Sequence, residues 1–158
     1  MKEQIKNYLI ENKNISLAKV SKDLGISFMD VLRQSSDEYS KSYPLEKIDE
    51  LFEKLNSWEQ VLMLVVTESF VLEIKDKFPK GKYGHGYLNF GDKESSIGGH
   101  LSVGNIKDIF IVNDIMFGRK SCSIKFFDAK EKEIFAVYVP RDEKGQLIEK
   151  YLNEFNSL

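Results

Sequence analysis

Apolar positions recur at three- and four-residue spacing through the first third of the chain. Ile5, Tyr8 and Leu9 share one face of a helix over Lys2–Asn12, with charged residues between them. Ser16 precedes Leu17, Val20 and Leu24, and Gly25 follows them, which predicts a capped helix ended by glycine. Ser27 in front of Phe28, Val31 and Leu32 predicts a third. Tyr39–Tyr43 reads as a polar connector stopped at Pro44. Leu45–Asn56 reads as a helix, apolar at Leu45, Ile48, Leu51, Phe52 and Leu55.

From Trp58 onward the pattern becomes strand-like. Trp58–Val66 and Phe70–Ile74 predict two strands about the turn Thr67-Glu68-Ser69. Pro79, Gly81 and Gly84 read as a break. Tyr87–Phe90 and Ile97–Val103 predict a hairpin closed by Gly91-Asp92-Lys93-Glu94. Asn105–Val112 predicts a strand, Ile115–Phe117 a short apolar piece before Gly118, and Ser121–Phe127 a strand turned by Asp128–Glu131. Ile134–Val139 is apolar in both of its alternating rows, as expected of a strand covered on both faces. Leu147, Ile148, Tyr151, Leu152 and Phe155 define a closing helix over Lys144–Phe155. The sum is an α+β fold: N-terminal helices, a large antiparallel β-sheet laid out as a meander, and a C-terminal helix. It is read as a single domain over 1–158, helical over 1–56, sheet over 57–140 and helix over 141–158.

The string ISLAKVSKDLGISFMDVLR has the outline of a helix-turn-helix, which raises DNA recognition through its second helix. Charge argues otherwise. Residues 1–45 hold seven Lys/Arg and six Asp/Glu, and the candidate recognition helix offers one arginine, Arg33, beside Asp30. Phosphate contacts need a cationic surplus. The helices are therefore expected to pack or to face a partner chain, with no nucleic acid bound. The formal net charge of the 158 residues is -2, so no general attraction to polyanions is written in.

Aromatics make up 12% of the chain, with 11 Phe and 7 Tyr, which suits a sheet core or an apolar ligand surface. A single cysteine, Cys122, excludes an intramolecular disulfide. The first residues carry no apolar signal-peptide core, and the apolar run Val61–Val66 is too short to span a bilayer. A cytoplasmic protein without membrane insertion is expected.

Chemistry concentrates in Phe78–Val103. It holds both histidines, His85 and His100, and glycines 81, 84, 86, 91, 98 and 99 out of ten in the chain. No CxxC, HExxH, phosphate loop or dinucleotide fingerprint is present, and Cys122 has no histidine near it in sequence. A histidine beside glycine is ordinarily a hydrogen-bonded strand-end residue, but these residue types could also serve haem, whose iron takes an imidazole, phenolate or thiolate, whose macrocycle wants apolar walls and whose propionates want cations. His100 and His85 are candidate imidazoles, and Tyr87 and Tyr83 candidate phenolates. Phe90, Met116 and Phe117 are candidate walls, with Arg119 or Lys120 for a propionate.

HGYLNF, GGHLSV, MFGRKSCSIKFF and VPRDEKGQLIEKYL, in this order and spacing, resemble the ChuX/HutX family of haem-utilisation carriers over about Ile15 to Phe155. The resemblance implies the haem-utilisation fold, homodimers whose sheets form a saddle, and haem as a transported ligand. It implies an intracellular carrier that passes haem to a degrading or storage partner protein. His100 matches a histidine of the family's glycine-histidine motif, His85 and Tyr87 match its HGY, and Arg119 matches its arginine. His100 is thus the candidate iron ligand and Tyr87 the alternative, with His85, Arg119 and Phe117 as further haem contacts. A second family histidine falls at Val66, which cannot ligate iron, and Pro140 replaces a glycine. Haem or porphyrin degradation, and a helix-turn-helix interaction module, are the alternatives.

Overall fold

The computed structural model describes residues 1–158. Helices α1 (Lys2–Glu11), α2 (Leu17–Leu24) and α3 (Phe28–Gln34) form where the periodicity places them. Lys19 N–H donates to Ser16 Oγ and Asp30 N–H to Ser27 Oγ, caps that each contribute about 1 kcal/mol. Gly25, at φ 65°, ends α2 in the left-handed conformation.

The expected connector before Pro44 is a strand. β1 (Ser40–Tyr43) pairs antiparallel with β7 (Asp108–Met116), Ser40 opposite Val112. It lies at the edge of its sheet, where polar residues are tolerated, so it lacks an apolar alternation. A 3-10 turn over Leu45–Lys47 leads into α4 (Ile48–Asn56), which buries Ile48, Leu51, Phe52 and Leu55 while Leu45 stays exposed.

The remaining strands are β2 (Val61–Val66), β3 (Val71–Asp76), β4 (Gly81–Gly84), β5 (Tyr87–Phe90), β6 (Gly99–Leu101), β8 (Arg119–Phe127) and β9 (Glu133–Tyr138). They do not form one meander. A six-stranded sheet has the order β1-β7-β8-β9-β2-β3, and a separate three-stranded sheet has the order β4-β5-β6. Asn105–Val112 and Ile115–Phe117, read as two pieces, merge into β7, with Asn105 in a preceding 3-10 turn and Phe117 in the turn after it. Gly81 and Gly84 do not break the chain but open and close β4. A Cβ on Gly81 would sit 2.8 Å from Leu88 Cγ, so β4 packs on β5 too closely for any side chain there.

The C-terminal helix α5 (Glu149–Asn156) starts later than Lys144. Asp142 Oδ1 accepts from Lys144 N–H and Gln146 N–H, Gly145 turns at φ 77°, and Arg141 bridges to Leu147. Leu147 and Ile148 pack on the core from this turn rather than from helix. Tyr151 of α5 stacks on Trp58 at 5.0 Å, and Trp58 Nε1–H donates to Glu154 at 2.7 Å.

Two cores share the large sheet. On one face α4, α5, Trp58, Phe78 and Leu88 bury Ile109, Ile111, Cys122, Ile124, Phe126, Phe135 and Val137. On the other, α1–α3 cover Phe110, Val112 and Phe127 of β7 and β8. The α2–α3 pair is thus a packing element, burying Met29, Val31 and Leu32. Its one arginine is occupied, with Arg33 bonded to Glu131 at 2.6 Å and Asp108 at 3.2 Å. No helix is long and apolar enough to cross a membrane.

Candidate functional site

The small sheet is built around a two-residue turn. Gly84 pairs with Tyr87, leaving His85 at φ 54° and Gly86 at φ 82°, the double positive φ of a type I′ hairpin. Histidine is among the few non-glycine types that enter this region readily, so His85 has a backbone role at an exposed tip. Alternation then sends Tyr87 and Asn89 to one face of β5 and Leu88 to the core.

His100 lies directly across from Asn89 on β6. Its Nδ1 is 2.6 Å from Asn89 Oδ1, and the Tyr87 ring meets the imidazole edge-on, centroids 6.1 Å apart. The imidazole is exposed. It borders a cleft of about 430 Å³ between β6 and the ends of the large sheet. Leu101 and Ile134 supply apolar wall there, and Lys107 and Lys130 supply cations. Lys107 Nζ donates to Gly104 O at 2.7 Å, and neither lysine pairs with a carboxylate. The volume falls within the range of small-ligand sites.

Tyr83 points the other way. Its hydroxyl donates to Asp49 on α4 at 2.6 Å, and burial first, then that bond, push its pKa up to about 12. A phenolate is correspondingly hard to form, which removes Tyr83 from the candidate ligands. Phe90 belongs to the core, edge-on to Phe78 at 5.9 Å.

Arg119 and Phe117 are elsewhere. They flank the β7–β8 turn, where Phe117 at φ 51° and Gly118 at φ 76° repeat the type I′ geometry. Both border a second cleft of about 480 Å³ with Met116, Leu62, Leu64, Tyr138 and Arg141. Arg119 and Arg141 donate to Gly145 O at 3.3 and 3.0 Å, and Arg141 also to Lys120 O. Burial, then the neighbouring Arg119 charge, lower the Arg141 pKa. A Cβ on Gly145 would come within 2.8 Å of Arg119 Nη1, the movable end of a long side chain, so it is the φ of 77° that favours glycine there.

β7 and β8 are nine residues long, and the His100 cleft lies at their far end, beside Lys107 and Asp128. The Arg119 end and the Asp108 end of the hairpin are therefore about 27 Å apart at the usual strand rise, although the lining of the second cleft runs along β2 as far as Leu64, opposite Ala136 and two residues short of Ile134. One chain brings His100, Tyr87 and Asn89 together. It does not bring Arg119 or Phe117 to them, and His85 sits apart in its turn. Val66 is at the His100 end, since Glu68 just beyond it reaches Lys132 at 3.4 Å. Sequence reasoning missed Asn89, Lys107 and Lys130. Only the first had a signal: the predicted hairpin pairs a residue of HGYLNF with His100.

Fold and cleft together make an α+β protein that presents an accessible imidazole at the edge of a small sheet. The chain belongs to the haem-utilisation ChuX/HutX family, whose sequence pattern matches residues 42–158. HutX of Vibrio cholerae serotype O1, named an intracellular heme transport protein, is 26% identical over 158 residues, covering 100% of this chain and 82% of its own. The crystal structure of ChuX superposes with a TM-score of 0.85 at 24% identity, over 97% of this chain and 94% of that one. The heme-degrading enzyme ChuS of Escherichia coli O157:H7 matches with a TM-score of 0.73 at 15% identity, over 89% of this chain but 42% of its own. The last two likenesses concern the fold alone.

Proposed function

We propose that the protein is an intracellular haem carrier that takes up imported haem in the cytoplasm and passes it to a degrading or storage partner. The observation that carries this reading is His100, an exposed imidazole held by Asn89 at the mouth of a mixed cleft with Leu101 and Ile134 as apolar wall and Lys107, Lys130 and Asp128 as its charged groups. Membership in a haem-utilisation family, and the name of the relative from Vibrio cholerae, point the same way. His100 is the axial ligand and Tyr87 the alternative. Leu101 and Ile134 meet the macrocycle, and the lysines meet the propionates. Val66 stands where the family resemblance places a second histidine and cannot ligate iron, so iron receives one protein ligand from this chain. One ligand on an open cleft suits a carrier. A dissociation constant near ~1 µM corresponds to about -8 kcal/mol and leaves release fast enough for transfer.

On this reading Arg119 and Phe117, at the other end of the β7–β8 hairpin, would meet the same haem from a second copy of the chain in a homodimer. The degrading-enzyme alternative has the fold of ChuS in its favour and no positioned proton donor at His100.

Hemin titration into wild type, His100→Ala and Tyr87→Phe tests the reading. A saturable Soret band in wild type and Tyr87→Phe that disappears in His100→Ala is expected. Absence of a saturable band in wild type overturns the carrier reading. Loss in Tyr87→Phe alone makes the ligand a phenolate. Loss of the band on adding NADPH or ascorbate would mark degradation instead.

A further inference from the structure

The amide of Asn89 can be oriented from its neighbours. Its Nδ2 lies within hydrogen-bond range of three backbone carbonyls of its own hairpin: Gly84 O at 3.0 Å, Lys82 O at 3.2 Å and Tyr87 O at 3.3 Å. Carbonyl oxygens only accept. The reverse orientation would set the amide oxygen against all three and leave it without a donor, so this end of the amide is the nitrogen. Oδ1 is thereby left facing His100 Nδ1 at 2.6 Å, and it has no proton to give. The imidazole must donate from Nδ1. A neutral imidazole carries one N–H, so Nε2, the nitrogen farther from the backbone, keeps a free lone pair.

We propose that Asn89 is the positioning residue for His100, fixing the Nδ1–H tautomer before any ligand arrives so that Nε2 is presented ready to coordinate a metal centre. Imidazole in water prefers the opposite tautomer, with the proton on Nε2, so Asn89 reverses the intrinsic bias. Only one side-chain acceptor is needed, because the hairpin register already sets Asn89 and His100 face to face. That the metal centre is haem iron rests on the carrier reading; the tautomer does not. Partners that hold a ligating histidine by its other nitrogen typically change metal affinity by about 10–100-fold.

The full-length apo-protein labelled with 15N reports the tautomer directly by long-range imidazole correlations. With two histidines in the chain, His100→Ala assigns the signals. Asn89→Asp keeps an acceptor for His100 but loses the donors to Gly84, Lys82 and Tyr87. Asn89→Leu loses both. Wild type and Asn89→Asp are expected to carry the proton on Nδ1, and Asn89→Leu on Nε2. Hemin affinity is expected to fall about 10–100-fold in Asn89→Leu and to be largely retained in Asn89→Asp. A residue needed only to hold the hairpin would lower affinity at least as much in Asn89→Asp as in Asn89→Leu, since both lose the three backbone bonds and Asp also sets a carboxylate oxygen against the three carbonyls. A loss in Asn89→Asp equal to or larger than that in Asn89→Leu, or a wild-type His100 protonated on Nε2, overturns the proposal, and the wild-type spectrum decides it alone if either variant does not fold. The expected tautomers in a wild type that takes up no hemin would uphold the positioning role and overturn the carrier reading.

Discussion

Phe117 is 98% exposed and adopts φ 51°, a combination with two separate costs. A large apolar ring stands in water, and a residue with a bulky Cβ substituent sits in left-handed backbone that costs about 1–2 kcal/mol. Stability alone favours Asn at this position of a type I′ turn. Phe117→Asn is accordingly expected to raise stability by about 1 kcal/mol, moving Tm up by about 2–4 °C for a chain of this size. Thermal unfolding checks it, and a fall in Tm would mean that the ring packs within its own chain. In the proposed homodimer a second chain would cover the ring, and there the same substitution is expected to weaken self-association in sedimentation, so the Tm comparison belongs at a concentration where the chain is monomeric. At this scale the sequence was a good guide to residue types and a poor one to their grouping. His100, Tyr87 and Arg119 are visible as candidates because imidazole, phenol and guanidinium are rare and chemically explicit. Asn89 is not, since its role depends on which strand pairs with β5 and in what register. Nothing in the spacing of Arg119 and His100 reveals that a nine-residue hairpin separates them.

Elements with strong periodicity or a cap were legible: α1 to α4, the β2–β3 hairpin and the β5–β6 pair. The misread elements lacked such a signal. β1 is polar because it is an edge, and β4 contains glycines because it packs too tightly for side chains. The start of α5 was placed too early because the turn at Asp142–Gln146 uses side-chain bonds that leave no hydrophobic pattern. The loop over 91–98, which carries the chain into β6, is likewise held by carboxylates. Asp76 accepts from the hydroxyl and the amide of Ser96 and from the amide of Lys77. Asp92 accepts from Glu94 N–H and Lys80 N–H, and Glu94 pairs with Lys77. These bonds favour the charged forms, so the pKa of Asp76 is lowered from 3.8 by Ser96 first, that of Asp92 by Glu94 N–H first, and that of Glu94 from 4.5 by Lys77. A carboxylate with a lowered folded pKa adds stability above its unfolded value, and that stability drains away as pH falls through the folded value. The loop is therefore expected to stay ordered through neutral and mildly acidic pH and to loosen only below the ordinary carboxylate range. The Ser96 amide resonance, followed by NMR, should titrate with a midpoint below 3.8, and Asp76→Asn should release the loop already at neutral pH. A midpoint at or above 3.8 would remove Asp76 as its anchor.

At the scale of the whole molecule, the residues of the proposed haem site are divided between two ends of the chain. One end of the large sheet has His100, Lys107 and Lys130, with exposed Val66, Phe70, Val71 and Leu72 on the β2–β3 hairpin. The other end has Arg119 and Arg141 with exposed Met116 and Phe117. Exposed apolar groups at both ends, with an unpaired edge strand β3 between, are costly for an isolated chain. A two-fold pairing that lays the Phe117 end of each chain on the β2–β3 hairpin of the other covers both patches twice over. On the proposed carrier reading it would also carry the guanidinium of Arg119 towards the partner copy's imidazole, so that one haem would meet an axial ligand from one chain and a propionate cation from the other. Mixing variants tests this without needing a structure of the pair. His100→Ala and Arg119→Ala dimers each lack one group at both sites, and each is expected to bind hemin more weakly than wild type. After exchange of subunits, the mixed dimer has one site with neither group and one with both, the imidazole coming from the Arg119→Ala chain and the guanidinium from the His100→Ala chain. Hemin titration of the mixture should recover a fraction of sites with wild-type affinity. If both groups had to come from the same chain, every site in the mixture would stay defective, and a wild type that binds hemin tightly as a monomer would dispose of the shared site altogether.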